Sequence, residues 1–277
     1  MTILVTGVRG QVGSAVLRGL LDAGRSVRAA SSGSARAVPG VDVDVVPFDQ
    51  SDPATLSTAL SGVRSVFLYA RPEGIEAFVD AAGEAGVEHV VLLSSLAATQ
   101  AGEGNAIARS HRAVEDALSA SDLALTLVRP GGFASNTLLW RDTIRDARRV
   151  DLAHPGSYSE PVHERDMAEV CVSALLDPAH RGAVHHLTGP ESLTYARQAE
   201  LIAEAIGSPV EVRKVSADQY RAGLAGRLGE TFADAVVNAQ AERDGQPQPT
   251  HDGVRAVLGR PATGFAQWAA DHAEDFR

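Results

Sequence analysis

Short apolar runs alternate with amphipathic stretches along the first half of the chain. The apolar runs are TILVT (2–6), SVRAAS (26–31), DVDVVPF (42–48), SVFLYA (65–70), HVVLLSS (89–95) and LALTLVRP (123–130). Unbroken apolar strands are typical of sheets that are buried on both faces. The stretches between them have helical spacing, and alternation of this kind predicts parallel strands joined by helices. We therefore expect an α/β fold, a doubly wound parallel sheet with helices on both faces.

The second half of the chain has a looser pattern. AVHHLT (183–188) is typical of one more strand, and helical stretches interrupted by polar loops make up most of the remainder. The chain has no internal repeat and no long linker. We therefore expect a sheet domain over 1–135 and a smaller cap over 136–277 that packs on it, with 183–188 returning to the sheet.

Three glycines follow the first predicted strand. In TGVRGQVG, Gly7, Gly10 and Gly13 are three residues apart, and Gln11 and Val12 open the first predicted helix. Glycines at such a turn permit a tight bend and bring a pyrophosphate close to the N–H groups of the helix N-terminus. A purely structural turn is the alternative, but the position directly after the first strand favours a dinucleotide site.

The glycine spacing and several other stretches resemble the NmrA-like branch of atypical short-chain dehydrogenases/reductases. The matching stretches are ILVTGVRGQVG, FDQSDPATL, VFLYARP, HVVLLSS, LTLVRPGGFASN and GRPATGFAQWAADH, in this order along nearly the whole chain. The resemblance implies a Rossmann-like NAD(P)-binding fold. It also implies that Asp49 and Gln50 lie at the adenine. The other residues that it places along the cofactor are Leu68, Tyr69, Ala70, Arg71, Ser94, Ser95 and Pro130.

The end of the second predicted strand has no acidic residue. In NAD-specific sites an Asp or Glu there accepts hydrogen bonds from the ribose 2′-hydroxyl. The chain instead has Ser31, Ser32 and Arg36, with Arg9 in the glycine loop, and a guanidinium suits a 2′-phosphate. We therefore favour NADP(H) over NAD(H). The alternative is that these arginines only solvate the surface, since the chain has 24 arginines and one lysine.

The helix after the fifth strand lacks the usual catalytic pair of the resembled family. Members of that family generally use Tyr-x-x-x-Lys, in which the lysine lowers the pKa of the tyrosine acid. Here Ile107 and His111 occupy that frame. Ile107, His111, Val114 and Leu118 form one helical stripe, so His111 is expected to face the sheet and the cofactor groove.

Three roles remain open for His111. Its imidazole titrates near neutrality, so it is a hydrogen-bond donor to the nicotinamide ribose or substrate, a proton donor to the reduced acceptor, or a structural interior histidine. Ser94, at the end of the fifth strand, is expected to border the nicotinamide as well. His111 and Ser94 are therefore the candidate catalytic residues.

The absence of a good base favours reduction over alcohol oxidation. Quinones, and iminium ions that are already charged, accept hydride mainly through positioning and electrostatics. This favours activated acceptors, a class that includes quinones, enones and imines. The leading hypothesis is an NADPH-dependent reductase of such a small activated acceptor, which residues 130–136 and the cap would enclose. The alternative is a catalytically silent NADP(H)-binding redox-sensing regulator, and only this alternative requires a protein partner. Both a monomer and a homodimer are compatible with the sequence.

Composition argues against several other classes of protein. The formal net charge is −10 and no basic run is present, which argues against nucleic acid as a partner. An apolar run of about 18 residues, as a membrane span needs, is absent, and so is a signal-peptide pattern, so we expect a cytoplasmic protein. Cys171 is the single cysteine. Adjacent His185 and His186 point to opposite faces of a strand, so no metal site is expected.

Overall fold

A seven-stranded parallel sheet forms the centre of the structure, a computed structural model that describes residues 1–33, 40, 41, 43, 45–99 and 105–277. Its strands are β1 (Thr2–Val5), β2 (Ser26–Ser31), β3 (Val45–Pro47), β4 (Val63–Tyr69), β5 (His89–Leu93), β6 (Ala124–Pro130) and β9 (Val184–Leu187). They lie in the order β3-β2-β1-β4-β5-β6-β9, and neighbouring strands are parallel. The predicted doubly wound α/β sheet is confirmed.

Helices connect these strands and build the second half of the chain. They are α1 (Gln11–Asp22), α2 (Pro53–Leu60), α3 (Ile75–Glu84), α4 (Ala106–Ser119), α5 (Arg141–Ala147), α6 (Glu164–Leu176), α7 (Tyr195–Ile206), α8 (Ala217–Leu228), α9 (Glu230–Glu242), α10 (Gly253–Leu258), α11 (Phe265–Asp271) and α12 (Ala273–Phe276). Local caps fix several starts: Asp52 accepts from the Ala54 N–H at α2, and Asn105 accepts from the Ala108 N–H at α4. Within the described residues, no helix is long and apolar enough to cross a membrane.

Each face of the sheet buries its own apolar core. On one face, α1 and α6 pack over strand residues such as Val5, and Leu17 and Cys171 are fully buried there. Gly19 permits this close packing, since a Cβ at that residue would lie 3.1 Å from the Val172 side chain. On the other face, α2, α3 and α4 cover a second core. Burial raises the pKa of the Cys171 thiol, so this cysteine is a structural residue.

The remaining strands lie outside the central sheet, in the second half of the chain. They are β7 (Arg149–Leu152), which pairs with β11 (Glu211–Lys214), and β8 (Tyr158–Ser159), which pairs with β10 (Leu193–Thr194). A separate core surrounds the fully buried Trp268, whose ring stacks on His272. Glu164 of α6 accepts from Trp268 Nε1 at 2.9 Å and lies 2.6 Å from His272 Nε2. Because α6 also packs on the sheet, these contacts of Glu164 connect the core around Trp268 to the sheet.

Candidate functional site

The carboxyl ends of β1 and β4 meet where the strand order reverses, the usual ligand crevice of an open α/β sheet. The glycine loop lies there. Gly7 has φ 63°, and its carbonyl accepts from the Gly10 N–H at 2.9 Å. A Cβ on Gly13 would lie 2.3 Å from the Gly7 carbonyl oxygen and 3.0 Å from that of Thr6. A side chain therefore cannot fit at residue 13 while the first turn of α1 packs so closely on the end of β1.

Tyr69, at the end of β4, packs on this loop. Its hydroxyl accepts from the Gly13 N–H at 2.9 Å, and a Cβ on Gly7 would lie 2.5 Å from the Tyr69 ring. Burial raises the pKa of Tyr69 to about 12. The structure thus places Tyr69 against the glycine loop, between the ends of β1 and β4.

A cavity of about 350 Å³, the loop cavity, lies beside the glycine loop. Its lining residues are Thr6, Gly7, Arg9, Gly10, Ser31, Ser32, Phe48, Gln50, Tyr69 and Arg71. Arg9 Nη2 donates to the Ser32 carbonyl at 2.5 Å, and so does Ser31 Oγ at 3.2 Å. The structure therefore brings Arg9, both serines, Gln50 and Arg71 together as expected from the sequence. Arg36 lies outside the described residues.

The other candidate cofactor residues do not line the loop cavity. Leu68 is 1% exposed in the core under α2–α4, because neighbours on a strand point to opposite faces. Asp49 accepts from the Ser51 N–H in a local turn. Ser95 Oγ accepts from the Ala97 N–H at the start of a 3₁₀ turn. Pro130 is buried at the end of β6, and Gln11 and Val12 form the first turn of α1.

Ser94 belongs to a buried charged network beneath the crevice. Its hydroxyl donates to Glu115 Oε1 at 2.5 Å, and Arg129 donates to both Glu115 oxygens, at 2.9 Å from Nε and 2.5 Å from Nη2. The Glu115 side chain is 7% exposed and that of Arg129 20%. The hydrogen bonds from Arg129 to Glu115 raise the pKa of the guanidinium. The network fixes α4 against the ends of β5 and β6.

His111 is half-buried one turn before Glu115 on α4. Burial lowers its pKa, against an opposing effect of the Glu115 carboxylate. Its Nδ1 is buried and has no hydrogen-bond partner among the described residues. Val114 and Leu118 of the same stripe are fully buried. An interior histidine without a partner at Nδ1 is suited to a ligand hydrogen bond.

A second cavity, the cap cavity, has a volume of about 280 Å³. Its wall contains Ile107, which occupies the place of the usual tyrosine, and Asn136 and Thr137 from the segment after β6. The remaining lining residues come from the cap and are Leu139, Trp140, Ser157, Tyr158, Tyr195, Tyr220, Leu224, Leu228, Phe232, Val236, Ala239, Gln240 and Arg243. These cap residues come from distant segments without a shared motif, so the sequence does not connect them to one another.

The loop cavity fits a dinucleotide on three grounds. The glycine loop packs the N-terminus of α1 closely on the end of β1, where a side chain at residue 7 or 13 would clash, and a helix N-terminus favours a phosphate. Gln50 is 4% exposed and its Nε2 is buried without a partner in the described residues. Arg9 and Arg71 supply positive charge at the rim. By contrast, the described residues include no cluster of His, Cys, Asp or Glu that could bind a metal ion.

Comparison with known proteins agrees with this geometry. The model of a family described as NAD(P)H-binding matches residues 7–178. The chain is 35% identical over 279 residues to (4-alkanoyl-5-oxo-2,5-dihydrofuran-3-yl)methyl phosphate reductase of Streptomyces griseus, covering 99% of each chain. It is 31% identical over 287 residues to NAD(P)H azoreductase of Xenophilus azovorans, again covering 99% of each.

Solved structures share the fold. The NADPH-dependent quinone oxidoreductase of Escherichia coli, in complex with NADPH, superposes with a TM-score of 0.82 at 23% identity. The superposition covers 98% of this chain and 99% of that one. With matches along its whole length, the chain belongs to the NAD(P)H-binding family, in its NmrA-like group of atypical reductases.

Proposed function

We propose that the protein is an NADPH-dependent reductase of a small activated acceptor such as a quinone, enone or imine. The observation that carries this proposal is the placement of the cap cavity: Ile107 lines it, one turn of α4 from His111. The acceptor therefore sits beside the helix that usually carries the catalytic pair. The functions named for the Streptomyces, Xenophilus and Escherichia relatives, all reductases or oxidoreductases, support the same class.

In this proposal the two halves of the chain have different roles. Residues 1–135 bind the cofactor, and residues 136–277 supply the cap, although α6 and β9 of the second half pack on the central sheet. NADPH supplies the hydride when bound. The glycine-loop N–H groups bind the pyrophosphate, and the half-buried imidazole of His111 donates to the ribose or the acceptor. Ser94 holds α4 in place through Glu115 and acts as a positioning residue.

The cap cavity favours an activated acceptor over an alcohol substrate. Ile107 and Trp140 give it an apolar wall that excludes water, and Ile107 provides no acid or base where the family usually has tyrosine. Its volume of about 280 Å³ suits a compact ligand. The name of the Streptomyces relative describes an unsaturated lactone with an alkanoyl substituent, which is a conjugated acceptor of this kind.

The direct test is cofactor oxidation with an acceptor panel. NADPH absorbance is followed with 1,4-naphthoquinone, a 2-acylbutenolide and a cyclic imine, with NADPH and NADP⁺ affinities measured by calorimetry. We expect at least one acceptor to raise NADPH consumption well above the rate without acceptor. Tight NADPH binding with no consumption would contradict the proposal. If NADPH and NADP⁺ then bound with different affinities, the result would favour the silent redox-sensing regulator, because only differential affinity shifts a conformational equilibrium.

Preference for NADP(H) is tested at Arg9. The guanidinium lies at the rim of the loop cavity beside Ser31 and Ser32, where a 2′-phosphate would be expected. We expect Arg9→Gln to weaken NADPH binding by about 10–100-fold, the effect of losing one charged hydrogen bond, and to leave NADH affinity nearly unchanged. Calorimetry with both cofactors measures this. Arg25→Gln, at an exposed arginine before β2, is the matched control, and an equal loss for NADH in Arg9→Gln would refute the preference.

The role of His111 is tested by its pH profile. Burial lowers the pKa of His111, which favours the neutral imidazole and so hydrogen bonding over proton donation. We expect His111→Ala to raise the KM for NADPH by about 3–10-fold, the effect of one neutral hydrogen bond, with partial recovery in His111→Gln. We also expect kcat of the wild type to stay flat between pH 7 and 8. A fall in kcat with rising pH that disappears in His111→Ala would instead identify His111 as the proton donor.

A further inference from the structure

One end of the cap cavity is polar and incompletely paired. Ser157 is fully buried and Gln240 is 5% exposed, and both line the cavity. Among the described residues, Ser157 Oγ and Gln240 Oε1 have no hydrogen-bond partner. Buried polar atoms are rarely left unpaired, and an unpaired set at one cavity wall indicates a ligand that pairs with them.

Arg243 lies at the same end of the cavity. Gln240 and Arg243 are one turn apart at the C-terminus of α9, so they share a face. The backbone fixes this end in place: the Tyr158 N–H donates to the Arg243 carbonyl at 3.2 Å, and Ser157 forms a β-bridge with Asp244. These backbone contacts hold Arg243 next to Ser157 and Tyr158, and apolar residues of α9 such as Phe232 and Val236 also line the cavity.

The charge of Arg243 is poorly neutralised. Its one ion-pair contact among the described residues is with Glu160 Oε2, at 4.0 Å, which is too long for a hydrogen bond. Glu160 is 4% exposed and its Oε2 has no hydrogen-bond partner there. Burial raises the pKa of Glu160, and the charge of Arg243 opposes this shift. A half-buried guanidinium without a close carboxylate is a site for an anion.

We propose that the cap cavity selects acceptors that carry an anionic oxygen group, such as a phosphate, sulfonate or carboxylate, which binds Arg243 with Ser157 and Gln240 beside it. The reducible part of the acceptor then extends along the apolar wall toward Ile107. This inference rests on the proposed reductase function and names its substrate class. It assigns to Arg243 a role in substrate recognition.

The test compares a matched pair of acceptors, 1,4-naphthoquinone and 1,4-naphthoquinone-2-sulfonate. The measured quantity is the ratio of kcat/KM for the sulfonate to that for the neutral quinone, so that intrinsic reactivity cancels between variants. We expect Arg243→Gln to lower this ratio by about 10-fold or more, the effect of one charged hydrogen bond, and Arg243→Lys to lower it less. Arg213→Gln is the control, since Arg213 is an exposed cap arginine paired with Asp151.

Binding without turnover separates this inference from the proposed function. Calorimetry with naphthalene-2-sulfonate, which is not reduced, is run with NADP⁺ present so that the glycine loop is occupied. We expect binding to the wild type that weakens about 10-fold in Arg243→Gln, which remains folded by circular dichroism. Equal affinity in both proteins, or no binding to the wild type, would overturn the anion site. If neither quinone is consumed, the acceptor panel described above decides the reductase function, and the calorimetry alone decides the anion site.

Discussion

Replacing Gly13 with alanine is expected to reduce NADPH affinity by more than about 100-fold and to lower the free energy of unfolding by about 2–3 kcal/mol. The added Cβ would lie 2.3 Å from the Gly7 carbonyl oxygen and 2.7 Å from its carbon, both backbone atoms. Backbone cannot rotate away as a flexible side chain can, so the first turn of α1 must move off β1. The N–H groups at the N-terminus of α1, which we propose bind the pyrophosphate, would then lose their positions.

Calorimetric titration with NADPH and thermal unfolding measure the two effects separately. Gly83→Ala is the matched control, because Gly83 lies within α3 and a Cβ there would meet no atom within 4 Å. We expect this control to bind NADPH normally and to be as stable as the wild type or slightly more so. Wild-type NADPH affinity in Gly13→Ala would show that the phosphates bind elsewhere.

Glu115→Gln is expected to lower the free energy of unfolding by about 3 kcal/mol, since it leaves the Arg129 charge without its partner in a largely buried place. The substitution keeps the shape of the side chain but replaces one of the two carboxylate oxygens that accept from Arg129. It also weakens the link from Ser94 to α4. A loss of this size corresponds to a fall in Tm of roughly 6–12 °C for a chain of this length.

Thermal or urea unfolding at pH 7 measures this effect. The control is Glu88→Gln, which breaks the exposed ion pair with Arg64, where the side chains are 41% and 50% exposed. Exposed pairs contribute less than about 1 kcal/mol, so we expect little change there. If the two variants lost equal stability, the buried Ser94–Glu115–Arg129 network would contribute no more to the free energy of unfolding than an exposed ion pair.

The fold was largely predictable because its signals are local. Each apolar run had to be buried on both faces. The glycine loop directly follows the first strand, and its spacing allows Gly13 to pack closely on Gly7. The order of strands in the sheet carries no such local signal, but right-handed crossovers between parallel strands leave few alternatives.

The site was predictable only in part, for physical reasons. The family resemblance selected the run from Leu68 to Arg71 as a block, yet successive strand residues point to opposite faces, so Leu68 lies in the core and Tyr69 in the crevice. Arg243 and Ser157 are 86 positions apart in the sequence and become neighbours only through a β-bridge at residue 244. No spacing rule connects such residues, and only tertiary structure shows that they line one cavity.

The contact of Tyr69 with the glycine loop has a thermodynamic consequence. The ring packs against Gly7, and the hydroxyl accepts from the Gly13 N–H, so contacts within the protein hold the glycine loop in shape. Binding to such a preorganised receptor costs little conformational entropy. The heat-capacity change on NADPH binding should therefore be small, because only the surface at the site is buried. Folding of a disordered loop on binding would instead give a large negative heat-capacity change.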